Sequence, residues 1–219
     1  MEVKICGIGS QDAADAALRA GADFAGLVFH PKSPRFLGLE QAGALAAQLR
    51  GRVRLVALVA DAGDEEIAAI LRAVSPAFLQ LHGGETPARA AEIRSRFGVP
   101  VIKAFAIAEP QDFAAVPAFE DCADMYLFDA RAPGGAARRG GHGVAFDWQL
   151  LRGRSFSRRW FLAGGLNPDN VARAIRTSGA PAVDVSSGVE SAPGVKSRAL
   201  IGAFIDAARA AQHASEAEA

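Results

Sequence analysis

The sequence has few of the features that mark secreted, membrane or nucleic-acid-binding proteins. Its 219 residues include two cysteines, Cys6 and Cys122, in unrelated segments and without metal or redox spacing. No signal peptide or long apolar span is recognised, so we expect a cytoplasmic protein with no membrane contact. Basic and acidic residues number 24 each, and the resulting net charge of +0 gives no overall attraction to nucleic acid.

Short β-type runs alternate with alanine-rich helical stretches along the whole chain. The predicted strands are Val3–Cys6, Phe24–Val28, Val53–Val59, Phe78–Leu81, Val101–Ala104, Met125–Phe128, Trp160–Ala163 and Ala182–Val185. The predicted helical segments are Gln11–Ala20, Glu40–Leu49, Asp64–Val74, Pro87–Phe97, Pro110–Val116, Phe146–Leu151, Pro168–Thr177 and Ser197–Ala211. Continuous apolar strands separated by helices indicate a parallel sheet covered by helices. We therefore predict an α/β fold, a single-domain (β/α)8 TIM barrel over residues 1–211, followed by a frayed tail at 212–219. An open doubly wound sheet is the alternative.

Local signals support several boundaries and one long loop. Thr86-Pro87 and Asn167-Pro168 each place a capping side chain before a proline, which favours a helix start. Gly98 and Gly179 follow helical stretches and are typical of left-handed helix ends. Ala130–Ala145 is the longest irregular stretch, and a loop of this length in a compact domain is typical of an active-site lid.

Two ionisable residues end predicted strands, where (β/α)8 barrels carry their catalytic groups. Cys6 precedes Gly7, and its thiol is a candidate nucleophile or general base if nearby positive charge lowers its pKa. A small core residue at the barrel mouth is the alternative reading. Asp129 follows a strand of Tyr, Leu and Phe, where lost hydration favours the protonated form of a general acid. A loop cap is its alternative reading.

Other polar residues follow strands in positions suited to binding. Arg35 lies in a loop stiffened by two prolines, where its guanidinium can grip a carboxylate. His82 ends the fourth strand, although a lone histidine can be purely structural. Asp184 lies inside the eighth strand, where it can orient backbone or water. Glycine and serine follow strands seven and eight at positions suited to backbone capture of a phosphate: Gly164, Gly165, Ser187 and Gly188.

Six stretches of the chain resemble the phosphoribosylanthranilate isomerase family of tryptophan biosynthesis. In family order they are Val3–Gly7, Gly26–Arg35, Leu79–Gly83, Phe146–Trp148, Leu162–Leu166 and Asp184–Glu190. The resemblance implies an Amadori rearrangement with Cys6 as general base and Asp129 as general acid. It also implies that Arg35 holds the anthranilate carboxylate, with the four phosphate residues around the sugar phosphate.

The resemblance carries further expectations and two departures. The substrate is a small phosphosugar, no cofactor or metal is needed, and we expect a monomer or homodimer. Gly140-Gly141-His142-Gly143 replaces the family's usual Gly-Gly-Thr-Gly, and Ile8-Gly9-Ser10 replaces a polar turn after Cys6-Gly7. Neither departure removes a proton-transfer residue.

Three other readings remain open from the residues alone. A phosphosugar epimerase or lyase on the same barrel would use a metal held by histidines. It could instead use a Schiff-base lysine, for which Lys4 and Lys103 are candidates. A barrel that binds a phosphate ligand without catalysis is the third reading, because fold does not determine function.

Overall fold

A computed structural model describes residues 1–131 and 145–217 of the chain, with side chains described up to residue 211. Eight parallel strands close into a barrel in sequence order, with β8 paired to β1. The strands are β1 Glu2–Cys6, β2 Phe24–Val28, β3 Arg54–Val59, β4 Phe78–Leu81, β5 Val101–Ile107, β6 Met125–Ala130, β7 Arg159–Leu162 and β8 Ala182–Val185. The predicted single-domain (β/α)8 barrel is confirmed, and the open sheet is excluded.

Helices cover the outside of this barrel. The α-helices are α1 Gln11–Ala20, α2 Leu39–Leu49, α3 Asp64–Val74, α4 Pro87–Phe97, α5 Val171–Ser178 and α6 Arg198–Ala217. The helical segments predicted after β5 and β6 are 3₁₀ helices instead, Pro110–Phe119 and Trp148–Leu151. Pro117 lies inside the first of them and lacks the N–H that a continuing α-helix would use, which accounts for the tighter, irregular helix.

A short hairpin after β8 was not predicted. Its strands, β9 Glu190–Ala192 and β10 Val195–Lys196, pair antiparallel beside the barrel mouth. Strands this short lack the run of alternating or apolar residues by which a sequence reveals a strand.

The predicted helix caps are mostly confirmed. The side chain of Thr86 accepts a hydrogen bond from the backbone N–H of Arg89. Gly98 and Gly179 end their helices with φ angles of 62° and 71°. The expected start at Asn167-Pro168 is wrong for the α-helix itself, because α5 begins at Val171. The side-chain oxygen of Asn167 accepts from the backbone N–H groups of Asp169 and Asn170, and it caps the turn that precedes the helix.

Two apolar layers hold the barrel together. Large side chains such as Phe24, Ile102 and Phe161 fill its interior, and a second layer packs the outer strand faces against the helices. The strands are apolar on both faces because both faces are buried. The closed barrel therefore presents the carboxyl ends of all eight strands as one rigid rim. The last helix continues past residue 211 to Ala217, and the frayed tail remains a prediction.

Among the described helices, none is both long and apolar enough to cross a membrane.

Candidate active site

One cavity opens at the carboxyl ends of the strands and brings together five residues singled out from the sequence. They are Cys6, Arg35, His82, Asp129 and Asp184. About 660 Å³ of empty space lies within the cavity and its open mouth. Residues distant in sequence meet here because parallel strands place their carboxyl ends at the same rim.

Cys6 lies at the last position of β1, and its thiol packs against Val28 and Leu58. Gly26 pairs with Cys6 across the sheet, and a β-carbon at Gly26 would lie 2.9 Å from the Cys6 sulfur. Gly7 turns the chain at a φ of 77°, and a β-carbon there would lie 2.5 Å from Cδ of Arg35. These two glycines make room for the thiol and for the arginine beside it.

The charges around Cys6 do not produce the depressed pKa that the sequence suggested. Burial raises the pKa of the Cys6 thiol above its ordinary value, and Asp184 adds to this effect. Lys4 and Lys196 lower the pKa without overcoming burial. The condition stated from the sequence, a Cys6 pKa lowered by nearby positive charge, is not met in the free protein, because desolvation outweighs both ammonium groups.

Lys4 is fully buried beneath the cavity and binds Asp184, with 2.9 Å between Nζ and Oδ1. Burial lowers the pKa of Lys4, but its interactions with Asp184 and Cys6 outweigh this effect, and the net pKa is raised. An ammonium held in this way is charged and ion-paired. This state disfavours a Schiff-base role, which needs a free neutral amine.

Asp129 lies one residue before the end of β6, which extends two residues beyond the predicted strand. Its Oδ1 accepts from the backbone N–H of Ala130 at 2.9 Å, and its Oδ2 lies 3.3 Å from Nε2 of His82. On the other side of the imidazole, Nε2 of Gln80 lies 2.9 Å from Nδ1. With the Gln80 amide donating, Nδ1 accepts, and Nε2 is the ring nitrogen on the Asp129 side.

Gln80 was missed in the sequence. It is fully buried, and its Oε1 has no hydrogen-bond partner within the described part of the chain. A signal was present in the sequence, because His82 directly follows β4, two residues after Gln80, and side chains two residues apart in extended backbone point to the same side.

Arg35 binds Glu190 through two parallel hydrogen bonds. Its Nε donates to Oε1 at 2.6 Å and its Nη2 to Oε2 at 2.8 Å. Burial alone would raise the pKa of Glu190, but hydrogen bonds from Arg35 and Lys196 and the Lys196 charge outweigh it and lower the pKa to about 2. Glu190 is therefore a carboxylate at neutral pH. Neither Glu190 nor Lys196 was singled out in the sequence as a site residue.

The proposed phosphate residues lie in two loops that pack against each other, outside the lining of the central cavity as the described residues form it. Gly164 and Gly165 have φ angles of 86° and 65°, which favour glycine. A β-carbon at Gly188 would lie 1.8 Å from the carbonyl oxygen of Leu166, so only glycine permits this contact. The loops after β7 and β8 thus form one adjoining surface.

The described residues give no support to the two alternative chemistries left open by the sequence, a Schiff-base lysine and a metal held by histidines. Lys103 binds Glu85 at 2.9 Å and, like Lys4, does not line the cavity. Over residues 1–131 and 145–211, no three His, Cys, Asp or Glu side chains lie together as metal ligands. The predicted lid at Ala130–Ala145, including His142, lies almost entirely outside the described residues.

Comparison with known proteins gives one consistent result. The family model "PRAI: N-(5'phosphoribosyl)anthranilate (PRA) isomerase" matches residues 3–207. An N-(5'-phosphoribosyl)anthranilate isomerase from Rhodopseudomonas palustris (strain BisA53) is 54% identical over 215 residues, which are 98% of this chain and 99% of the relative.

Solved structures agree with this result. The phosphoribosyl anthranilate isomerase from Thermotoga maritima superposes with a TM-score of 0.86 at 35% identity, covering 96% of this chain and 99% of that one. A second such isomerase, in complex with reduced 1-(o-carboxyphenylamino)-1-deoxyribulose 5-phosphate, has a TM-score of 0.83 at 33% identity with the same coverage.

Proposed function

The chain belongs to the N-(5'-phosphoribosyl)anthranilate isomerase family, and on this premise we propose that its cavity catalyses the Amadori rearrangement with Cys6 as base and Asp129 as acid. The enzyme converts N-(5'-phosphoribosyl)anthranilate into 1-(2-carboxyphenylamino)-1-deoxyribulose 5-phosphate, a step of tryptophan biosynthesis. The observation that carries the assignment of roles is that a thiol and a carboxyl group from β1 and β6 line the same cavity.

Ring opening is the first proton transfer. Asp129 protonates the furanose ring oxygen, the bond from that oxygen to C1 breaks, and the anilino nitrogen forms an iminium with C1. The hydrogen bond from Ala130 and the nearby His82 imidazole orient the Asp129 carboxyl group toward the cavity. A positioned acid of this kind typically contributes 10²–10⁴-fold to the rate.

Removal of the C2 proton is the second transfer. The thiolate of Cys6 takes this proton, the electrons of the C–H bond neutralise the iminium, and the resulting enolamine tautomerises to the ketone. Because burial raises the pKa of Cys6, the thiol is mostly protonated in the free enzyme. Lys4 and the cationic iminium both favour the thiolate, so ionisation is easier once the ring has opened.

We assign different groups of the substrate to different residues in and around the cavity. We assign the anthranilate carboxylate to Arg35, whose Nη1 has no partner among the described residues. His82 and Asp184 line the same cavity and are assigned to the polar groups of the opened sugar. Gly164, Gly165, Ser187 and Gly188 are assigned to the phosphate, since their adjoining loops follow β7 and β8 as in other phosphate-binding barrels.

Several expectations complete the proposal. The rearrangement involves no net redox change and no hydrolysis, so the chemistry requires no cofactor or metal. We propose a cytoplasmic enzyme that acts as a monomer or homodimer, and analytical ultracentrifugation of the purified protein distinguishes these two states.

Turnover of phosphoribosylanthranilate by the purified protein tests the activity, followed as the loss of anthranilate-type fluorescence. Cys6→Ala should abolish turnover while the reduced product analogue still binds. Cys122→Ala is the matched control, because Cys122 is also buried but lies outside the cavity. If Cys6→Ala retains more than about a tenth of the wild-type kcat, Cys6 is not the base.

A further inference from the structure

Lys196 is a buried cation on a hairpin whose residues 191–193 are exposed. Its side chain is 1% exposed, whereas the neighbouring Val195 is 55% exposed. The Lys196 ammonium has three acceptors: the Ser186 carbonyl at 2.9 Å, the Ser186 hydroxyl at 3.3 Å and Oε1 of Glu190 at 2.8 Å. An ammonium has three protons, so these contacts satisfy it completely. Burying an ammonium group costs folding free energy unless it is fully hydrogen-bonded and paired. The presence of such a lysine at this position therefore indicates a specific role.

The contact between Lys196 and Ser186 connects Lys196 to the proposed base, Cys6. The Ser186 hydroxyl donates to the carbonyl oxygen of Cys6 at 3.1 Å. Because a hydroxyl has a single proton, Ser186 must accept the hydrogen bond from Lys196. The direction of both bonds is therefore determined, and Lys196 orients the hydroxyl that holds the end of β1.

The contact between Lys196 and Glu190 connects Lys196 to Arg35, the residue assigned to the substrate carboxylate. Glu190 accepts from Lys196, from Nε and Nη2 of Arg35, and from the backbone N–H of Gly194 at 3.1 Å. The carboxylate thus occupies the Nε–Nη2 edge of Arg35. The Nη1–Nη2 edge is left to meet a planar carboxylate in the cavity.

We propose that Lys196 is a positioning residue that ties the base Cys6 to the carboxylate-binding Arg35 and sets the spacing between them. This inference rests on the proposed function, since it concerns the same reaction. Lys196 does not line the cavity, so it acts through Ser186 and Glu190 rather than on the substrate. The substrate carboxylate and C2 lie on one rigid aromatic–imine framework, so a misplaced Arg35 carries C2 away from Cys6.

Lys196→Met is the first test, because methionine keeps most of the side-chain length and removes the charge and the donors. We expect kcat to fall about 10-fold and KM to rise about 10-fold, because Ser186 and Glu190 both lose their hydrogen bonds from Lys196. Lys196→Arg restores a donor cation and should recover part of each loss. Val195→Thr, on the same hairpin but outside the network, should stay within about twofold of wild type.

The effect of Lys196→Met in an Arg35→Ala background distinguishes positioning from simple stabilisation of the hairpin. Once Arg35 is absent, Lys196→Met should raise KM by less than about twofold further, while the fall in kcat through Ser186 persists. A further rise in KM as large as in the wild-type background overturns the proposal. So does a Lys196→Met enzyme with both constants near wild type.

Ser186→Ala provides a second route if Lys196→Met does not fold. It breaks only the connection to Cys6, so kcat should fall while affinity for the reduced product analogue, measured by calorimetry, is unchanged. Unchanged kcat in Ser186→Ala contradicts the proposal. Turnover of phosphoribosylanthranilate by the wild-type protein tests the proposed function separately. If the wild-type protein is active, unchanged kinetics in the variants contradict only the positioning role of Lys196.

Discussion

The Nε2 atom of His82 lies 3.3 Å from Oδ2 of Asp129, although β5 separates the two strands that carry these residues. Gln80 contacts the other imidazole nitrogen at 2.9 Å. The side chain assigned to acid catalysis thus lies beside a residue that the sequence marked as a candidate for substrate binding. The contact with Asp129 gives His82 a second expected role.

His82→Ala should lower kcat about 10- to 100-fold and change KM by less than about threefold, because the acid loses its orienting partner. Gln80→Leu should produce a smaller loss of the same kind, since Gln80 acts through His82. Steady-state kinetics measure both. A rise in KM larger than the fall in kcat would assign His82 to substrate binding alone.

The raised pKa of Cys6 predicts how its reactivity depends on pH. In a Cys122→Ala background, the rate of alkylation by iodoacetamide should rise about tenfold per pH unit and continue to rise beyond pH 9, because the thiolate is the reactive form. Lys4→Met should move the curve to still higher pH, since Lys4 lowers the Cys6 pKa. A midpoint below about pH 8 would show that the positive charges outweigh burial after all.

Asp129→Asn keeps the shape of the side chain and removes the transferable proton. We expect kcat to fall about 10²–10⁴-fold with a modest change in KM, the usual range for loss of a general acid. Unfolding measurements on the same variant check that the fold is retained. If the variant unfolds but its refolded fraction is fully active, Asp129 is structural.

Arg35→Ala should act mainly on binding. The guanidinium grips the anthranilate carboxylate similarly in the ground and transition states, so KM should rise by more than kcat falls. An analogue without the carboxylate provides the control, because its binding should be much less affected. Equal weakening of the analogue and the true substrate would mean that Arg35 does not recognise this carboxylate.

The low pKa of Glu190 predicts a contribution to acid stability. The folded-state pKa of about 2 lies below the ordinary value of 4.5, so the stabilisation is fully present above about pH 4.5 and is lost as the pH falls toward 2. Glu190→Gln should therefore lower the free energy of unfolding by on the order of 3 kcal/mol at neutral pH, and by progressively less between pH 4.5 and 2. Urea denaturation at pH 7 and pH 3 measures the difference. An equal destabilisation at both pH values would contradict the assigned pKa.

The local pattern of apolar and polar residues in the sequence determined much of the architecture. Phe24–Val28 and Ala182–Val185 are strands with the predicted bounds, because each is a short apolar run bounded by turn residues. Gln11–Ala20 and Asp64–Val74 are helices with the predicted bounds, since alanine-rich amphipathic stretches favour helix. The segment predicted as helical over Pro110–Val116 is a 3₁₀ helix that continues through Pro117 to Phe119.

The sequence by itself also determined which ionisable residues reach the barrel rim, because Cys6 and Asp129 lie at the carboxyl ends of apolar strands that must meet there. The tertiary structure alone decided their partners and whether the pKa of Cys6 is raised or lowered. Lys196 reaches Ser186 and Glu190 only through a hairpin that local pattern does not reveal. Burial raises the pKa of Cys6, whereas Lys4 and Lys196 lower it. Which effect is larger depends on how deeply Cys6 is buried and how close the two ammonium groups lie, and both are properties of the folded chain.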